Sequence, residues 1–208
     1  MNLENLTFKG GVHVPHHKDL TERIPLKRAK EPEMVIIPLQ QHIGAPCQPL
    51  VKVGETVKVG QKIGQAEAFV SAPVHSSVSG TVKKIAPMAS PTGMTVNCIF
   101  IESDGKGELH ESVKPKGDLE SLSQKEVLEI IKEAGITGMG GAGFPTHVKL
   151  SPPPEKKIDT IILNGAECEP YLTADHRLMV ERPEKVVLGL KAIMRAVGVD
   201  KGFIAGEN

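Results

Sequence analysis

The chain has 208 residues, and its 25 basic and 25 acidic side chains balance, so no global electrostatic field draws it to nucleic acid or to anionic lipid. Tryptophan is absent, and one Tyr and five Phe cannot form the aromatic platform on which single-stranded nucleic acid stacks. The three cysteines lie far apart without a C-x-x-C spacing, which argues against a disulfide framework and a zinc site and favours a reducing compartment. No run approaches the ~18 apolar residues of a membrane span, which leaves membrane association to partner proteins.

Residues 1–33 show little hydrophobic periodicity and are interpreted as an extended amino-terminal arm. Three of its histidines, His13, His16 and His17, could be taken for metal ligands. A zinc site normally has four well-spaced ligands with His or Cys partners nearby, and no such set is visible here. Solvated or packing histidines are therefore the favoured interpretation.

Residues 34–103 form the first predicted domain, in which short β-type runs are separated by glycines. Apolar and polar residues alternate between the glycine turns, as expected of strands that bury one face. The pattern predicts a small antiparallel sandwich or barrel with strands of about five residues or fewer. The predicted strands lie in four runs, at residues 34–38, 50–64, 80–85 and 95–101.

This first domain resembles the barrel-sandwich hybrid fold of biotinyl and lipoyl carrier domains, through residues 53–64, 72–74 and 78–83. Those carriers present an attachment lysine on an exposed hairpin. The matching stretch here is Glu-Ala-Phe-Val-Ser at 67–71, with Val70 at the position of the lysine. Because valine has no amine to acylate, we reject a swinging-arm carrier role and favour a docking or scaffold module.

Residues 104–123 are polar and rich in turn formers, and we interpret them as a linker to a second domain at 124–208. A helix is predicted after Ser123, because Ser123 and Glu126 have the spacing of a capping box. Gly135 is the type of residue that ends such a helix. Four residues at helical spacing form its predicted apolar face: Val127, Ile130, Ile131 and Ala134.

A glycine-rich loop follows this helix, with five glycines in nine positions, at Gly135, Gly138, Gly140, Gly141 and Gly143. Glycine permits positive φ and close approach of a ligand, at a cost in chain entropy. Successive backbone N–H groups before a helix that begins near residues 144–146 would suit an anionic phosphate. The alternative is a mobile glycine hinge. Because the dinucleotide fingerprint follows a strand and this loop follows a helix, it is not an ordinary Rossmann loop.

The rest of the chain has the pattern of a strand, a helix and a second strand. A buried strand is predicted at 158–163, a helix from Pro183 to Gly198, and a strand at 202–206. Such a unit is normally a right-handed crossover with parallel strands, so both strands end at the same edge of the sheet, where ligands bind. The apolar residues of the predicted helix are Val186, Val187, Leu190, Ile193, Met194 and Val197.

An acidic loop begins at Asn164, directly after the first of these strands, and contains Glu167 and Glu169. The two carboxylates form either a general acid–base pair or hydrogen-bond acceptors for ligand hydroxyl and amide groups. The second interpretation needs fewer assumptions, because no nucleophile with a base is visible. A solvated acidic turn is the remaining alternative. Further polar residues follow the loop, at Asp175, His176 and Arg177.

Two motifs together resemble the flavin- and NADH-binding subunit of respiratory complex I. They are Gly-Met-Gly-Gly-Ala-Gly-Phe-Pro-Thr at 138–146, followed by Lys149, and Asn-Gly-Ala-Glu-Cys-Glu-Pro at 164–170. The segment Phe-Lys-Gly-Gly-Val-His-Val-Pro-His-His-Lys at 8–18 and the hybrid barrel narrow the resemblance to the RnfC family of the Rnf ion-translocating ferredoxin:NAD oxidoreductase. The resemblance covers essentially the whole chain.

The resemblance implies an α+β protein with two domains. A small all-β barrel-sandwich hybrid, lipoyl- or biotinyl-like, would precede the first part of an α/β Rossmann-like flavin/NADH-binding domain. FMN and NAD(H) would be the cofactors, with hydride exchange between them and one-electron transfer to iron–sulfur clusters. The expected partners are the other Rnf membrane and peripheral subunits, at the cytoplasmic face of the cell membrane. A non-catalytic docking or scaffold module is the alternative function.

The resemblance also assigns roles to matching positions of this sequence. The loop glycines would line FMN, Phe144 would lie near the nicotinamide, and Lys149 near the flavin. Asn164 and Glu167 would hold polar atoms of the flavin, and Glu169 would face NADH. The full implied cofactor-binding set is Gly138, Gly140, Gly141, Gly143, Phe144, Lys149, Asn164, Glu167, Glu169, Gly206 and Glu207.

The sequence departs from the family pattern at two positions, since Ala166 stands where complex I has an aspartate and Met139 replaces a common arginine. Each change removes one possible contact to the cofactors. The cysteine motif that holds [4Fe-4S] clusters in this family is missing, so no cluster ligands are expected in this chain. We therefore expect an amino-terminal fragment that binds FMN weakly or not at all, because further residues would complete the sheet and the site.

Overall fold

The structure is a computed structural model that describes residues 14–90, 93–139 and 142–206. The described residues form an all-β first half and a mixed α/β second half, and each half has its own hydrophobic core. This arrangement confirms the predicted fold class.

The first half consists of short antiparallel strands. In the described residues these are β1 (Met34–Pro38), β2 (Gln48–Pro49), β3 (Thr56–Val57), β4 (Lys62–Gln65), β5 (Val74–His75), β6 (Gly80–Ala89) and β7 (Thr95–Ser103). One sheet has the strand order β1-β7-β6-β3 and the other has the order β2-β4-β5. Ile63, Val82, Ile99 and Ile101 are fully buried in a single core cluster. The predicted small antiparallel sandwich or barrel is therefore confirmed.

Strands β6 and β7 are longer than predicted, with 10 and 9 residues. The apolar runs of the sequence end at Ile85 and Ile101, but β7 continues to Ser103, and β6 continues past Ile85 to Ala89, which pairs with Thr95. Side chains in this extension, such as Met88, are exposed. The strands extend because hydrogen bonding between backbones does not require buried side chains.

The predicted linker contacts the barrel over its first part. The N–H of Val59 donates to the carbonyl of Glu108 at 2.9 Å, and the N–H of His110 donates to the carbonyl of Val59 at 2.9 Å. A 3-10 helix follows at Leu119–Ser121. The domain boundaries placed from the sequence stay predictions.

The second half combines helices with a parallel strand pair. Its elements in the described residues are α1 (Gln124–Glu133), α2 (Thr146–Lys149), β8 (Thr160–Asn164), α3 (Ala174–Glu181), α4 (Pro183–Val197) and β9 (Lys201–Ala205). Strands β8 and β9 pair in parallel, from Thr160 opposite Lys201 to Asn164 opposite Ala205. The predicted parallel pair is confirmed, and both carboxyl ends lie at one edge. Among the described residues, no helix has the length and apolar character needed to cross a membrane.

Local sequence signals set the ends of α1 and α4. The backbone N–H of Ser123 donates to the carboxylate of Glu126 at 2.8 Å, and the hydroxyl of Ser123 accepts the N–H of Glu126 at 3.3 Å. The predicted capping box is therefore confirmed. Helix α4 begins at Pro183, as predicted. Gly135 after α1 and Gly198 after α4 have φ of +67° and +80°, the left-handed conformation that closes a helix.

The predicted burial of strand β8 is wrong, and the predicted apolar faces of α1 and α4 are buried only in part. Ala134 lies at the C-cap of α1 and is exposed, and Val187 of α4 is exposed as well. Strand β8 contains no buried residue, and Ile162 is 65% exposed. Helix α4 packs on the β8–β9 pair, and no other described helix packs against these strands to the same extent. An apolar run therefore predicted the strand but not how many of its faces are covered.

Candidate functional site

The glycine-rich loop closes on itself between α1 and α2. The N–H of Gly138 donates to the carbonyl of Phe144 at 3.0 Å, and the N–H of Thr146 donates to the carbonyl of Ile136 at 3.0 Å. The N–H of Gly143 donates in turn to the carbonyl of Gly138 at 3.2 Å. These bonds draw the two ends of the loop together.

The described part of the loop has few amides free for a phosphate. The two glycine amides just described are engaged inside the loop, whereas those of Met139 and Ala142 donate to no described residue. Helix α2 begins where expected but has only four residues, too few to provide a helix-dipole site. Gly140 and Gly141 lie outside the described residues. The phosphate cradle therefore stays a prediction for the centre of the loop.

The barrel packs directly against the end of this loop. The N–H of Ile43 donates to the carbonyl of Gly143 at 3.0 Å. Gly143 has a φ of +67°, and a Cβ built there would lie 3.1 Å from the carbonyl oxygen of Gln41. Both the backbone conformation and this close approach favour glycine. A cleft of about 1150 Å³ lies beside the contact, between barrel residues and the loop residues Gly138 and Met139.

The Asn164 loop is held at the carboxyl edge of the β8–β9 pair. The N–H of Gly165 donates to the carbonyl of Ala205 at 2.6 Å, which joins the loop to the end of β9. A Cβ on Gly165 would lie 3.1 Å from the backbone carbonyl oxygen of Ala205, a close approach that favours glycine. The side-chain oxygen of Asn164 accepts the N–H of Ala166 at 3.0 Å and shapes the turn. The loop therefore lies at the sheet edge where the sequence predicted a ligand site.

The two glutamates of this loop have different environments. Glu167 is 8% exposed, and its carboxylate accepts the N–H groups of Asp175 at 3.2 Å and His176 at 3.3 Å. It therefore caps the first turn of α3, where negative charge is favourable. Glu169 is exposed, and no described residue donates a hydrogen bond to its carboxylate. The role of Glu167 toward a flavin stays a prediction.

The remaining predicted site residues are exposed where the structure describes them. Phe144 is exposed at the end of the glycine-rich loop, Lys149 lies on α2, and Gly206 follows β9. Glu207 lies outside the described residues. No hydrogen bond between described residues joins the glycine-rich loop to the Asn164 loop. The structure thus describes both loops in part, and the assignment of these residues to a cofactor site stays a prediction.

Sequence reasoning missed a contact between the arm and the segment after the Asn164 loop. The arm was predicted to be extended, but it contains a 3-10 helix at Lys18–Leu20. The ring of His17 stacks on Tyr171 with centroids 5.1 Å apart, and the N–H of Tyr171 donates to the carbonyl of His16 at 2.7 Å. The interpretation of His17 as a packing histidine is confirmed, while His13 lies outside the described residues. His17 and Tyr171 have φ of +48° and +68°, which is uncommon for residues other than glycine.

A second group of contacts joins the arm to α3. The carboxylate of Glu181 accepts the N–H of Leu26 at 2.9 Å and pairs with Arg177 at 2.7 Å. Arg177 also donates to the carbonyl of Glu22 at 3.0 Å. The hydrogen bond from Leu26, and then that from Arg177, hold the pKa of Glu181 below its usual value. Leu26 and Glu181 are 155 positions apart, so no local pattern in the sequence indicates this contact.

The described residues contain no group of three or more His, Cys, Asp or Glu side chains placed to hold a metal ion. Cys47, Cys98 and Cys168 are free thiols. Burial raises the pKa of Cys47 and Cys98, which keeps both in the protonated form at neutral pH.

Comparison with known protein families identifies two domains in this chain. Residues 6–106 match the RnfC Barrel sandwich hybrid domain. Residues 131–208 match the Nuo51 FMN-binding domain. The second match contains the glycine-rich loop, the Asn164 loop and the β8–β9 edge.

Individual proteins give the same result. The C subunit of the Na(+)-translocating ferredoxin:NAD(+) oxidoreductase complex of Acetobacterium woodii is 53% identical over 208 residues, which cover 100% of this chain and 47% of the relative. The C subunit of the Proton-translocating ferredoxin:NAD(+) oxidoreductase complex of Clostridium ljungdahlii is 50% identical over 202 residues, 97% of this chain and 44% of the relative. The chain thus spans about half the length of these curated relatives. Because both domain models match in order and the identities extend along the whole chain, the chain belongs to the RnfC family.

Proposed function

We propose that the chain forms part of the RnfC subunit of a membrane-associated electron transport complex and exchanges electrons between NAD(H) and FMN. Onward transfer runs to iron–sulfur clusters and ferredoxin and is coupled to ion translocation. The partners are the other membrane and peripheral subunits, at the cytoplasmic face of the membrane. The names of the relatives and the Nuo51 FMN-binding match support this reaction class. The observation that carries the proposal is the polar Asn164 loop at the carboxyl edge of parallel strands, in the same matched region as the glycine-rich loop.

The described residues fit a flavin nucleotide. A Cβ built on Gly138 would meet no atom closer than 3.8 Å, so a ligand can approach the backbone there. Asn164 and Glu169 expose polar groups that suit hydroxyl and amide partners, and exposed Lys149 offers a positive charge to an anionic group. Bound FMN supplies hydride acceptance and one-electron release, whereas the protein binds and orients the two rings.

Gly138→Ala tests the cofactor site in the full-length protein. Gly138 has no positive φ, and its Cβ would have no close neighbour, so the substitution keeps the fold and adds a methyl group only to the loop surface. We expect FMN affinity, measured by quenching of flavin fluorescence, to fall about tenfold, or about 1.4 kcal/mol. Thermal unfolding of the FMN-free protein should stay unchanged.

Gly189→Ala is the matched control, because Gly189 lies on α4 and a Cβ there meets nothing within 4 Å. Its FMN affinity should equal that of the wild type. A wild-type protein that binds no flavin, or a Gly138→Ala variant with unchanged affinity, contradicts the proposed site.

A further inference from the structure

We propose that the barrel clamps the glycine-rich loop and that Phe69 and His147 are positioning residues for the FMN site. The proposal rests on the proposed function, because it gives the barrel a task in that site. This task differs from the docking role considered above, in which the barrel would bind another protein, because here the hairpin tip contacts another part of the same chain.

The hairpin tip at residues 67–71, where carrier domains present their lysine, is docked. His147 donates from Nε2 to the carbonyl of Phe69 at 3.0 Å, since a carbonyl oxygen only accepts. The two rings meet edge to face, with centroids 5.6 Å apart. Val70, at the position of the carrier lysine, is held from the barrel side, where its carbonyl accepts the N–H of Ala45 at 3.0 Å. A tip bound on both sides cannot swing while these contacts hold.

His147 connects the tip to the loop. It is 4% exposed and lies on α2, which begins directly at the end of the glycine-rich loop. Its Nδ1 is buried without a hydrogen-bond partner among the described residues. In the neutral ring with hydrogen on Nε2, Nδ1 carries no hydrogen and leaves only an acceptor unpaired. The hydrogen bond to Phe69 therefore fixes the orientation of a ring that solvent does not reach.

Both ends of the loop also rest on barrel backbone. At its start, Gly135 lies so close to Pro73 that a Cβ would overlap the carbonyl oxygen of Pro73. Beside it, Lys62 of β4 forms an ion pair with Glu133, the last residue of α1. At its end, Gly143 accepts the barrel hydrogen bond described above. The loop is thus fixed at its start, at its end and through α2.

Met139, in the described part of the loop, is 94% exposed and makes none of these contacts. A glycine-rich segment loses much conformational entropy when a ligand orders it. Fixing its ends in advance reduces that loss and raises affinity. The barrel therefore acts on FMN affinity through the shape of the loop.

Two variants of the full-length protein test the clamp. Phe69→Ala removes the ring contact, and His147→Phe keeps a buried ring but removes the hydrogen bond. We expect hydrogen–deuterium exchange at the amides of Gly138 and Gly143 to rise about tenfold in both variants, with unchanged protection at the core residue Ile99. FMN affinity should fall about fivefold or more.

Leu109→Ala is the matched control, because Leu109 is 61% exposed and Phe69 is 62% exposed, and Leu109 pairs with Val59 away from His147. Neither the exchange nor the FMN affinity should change in this variant. Unchanged loop exchange in both test variants overturns the clamp, whether or not FMN binds. Faster exchange with unchanged FMN affinity overturns the positioning role. A wild-type protein that binds no FMN contradicts the proposed function, and the exchange data then decide on the clamp alone.

Discussion

At the boundary between the barrel and α1, His75 is half-buried next to Lys62 and Glu133. Burial, and then the positive charge of Lys62, lower the pKa of His75 below its ordinary 6.5, and Glu133 opposes them only in part. A Cβ on Gly135 would lie 3.3 Å from the imidazole, so this ring also lies against the start of the glycine-rich loop. The folded protein therefore favours the neutral form of His75.

Acid should weaken this boundary. Unfolding restores the ordinary pKa, so the unfolded chain binds the proton of His75 more tightly, and stability is lost as pH falls below about 6.5. We expect a drop in pH from about one unit above to about one unit below that value to lower the Tm of the wild type more than the Tm of His75→Gln. His176→Gln removes an exposed histidine and should retain the wild-type pH dependence. A His75→Gln variant with the wild-type slope contradicts this assignment.

Among the elements, α3 depends on residues outside its own sequence. Its N-cap, Thr173, makes no side-chain capping bond. The carboxylate of Glu167 takes that task at the first turn, and the arm binds the last turn through Glu181. The helix is thus supported at its start by the Asn164 loop and at its end by the arm.

Substitution of Glu167 and of Glu169, two positions apart, distinguishes a residue that supports α3 from one predicted to bind a ligand. Glu167→Ala should lower the free energy of unfolding by about 1 kcal/mol, because the first turn of α3 loses its acceptor. Glu169→Ala should change it by less than about 0.5 kcal/mol, because that side chain is exposed. Urea denaturation of the FMN-free full-length protein measures both values. Equal losses in the two variants would show that Glu167 is not the cap.

Some elements could be predicted from the sequence and others could not. The physical reason is the sequence separation between the residues that interact. Ser123 and Glu126 lie three positions apart, so the start of α1 could be predicted, and Pro183 and Gly198 mark the ends of α4 in the same local way. The contact between Leu26 and Glu181 depends on tertiary packing, which no short window contains. The same limit applies to the site: the β8–β9 edge could be predicted from topology, but the capping task of Glu167 could not.

At the scale of the whole molecule, separate parts of the chain support the two halves of the predicted site. The barrel contacts the glycine-rich loop through Ile43 and contacts α2 through Phe69. The arm holds the segment that follows the Asn164 loop through His17 and Leu26. Carrier domains present the barrel hairpin outward, whereas here the exposed tip of the hairpin also contacts His147 of α2 through Phe69. The carrier-like barrel and the arm thus each contact one part of the proposed nucleotide site in the second half.

The most direct test is reduction of bound flavin by NADH in the full-length protein. NADH should bleach the flavin absorbance of the FMN-loaded wild type. Glu169→Ala should raise the NADH concentration needed for half-reduction about tenfold, with FMN affinity unchanged, because its exposed carboxylate is assigned to NADH. Bound flavin that keeps its absorbance in excess NADH, or a protein that binds no flavin, contradicts an NAD(H)–FMN electron exchange site in this chain.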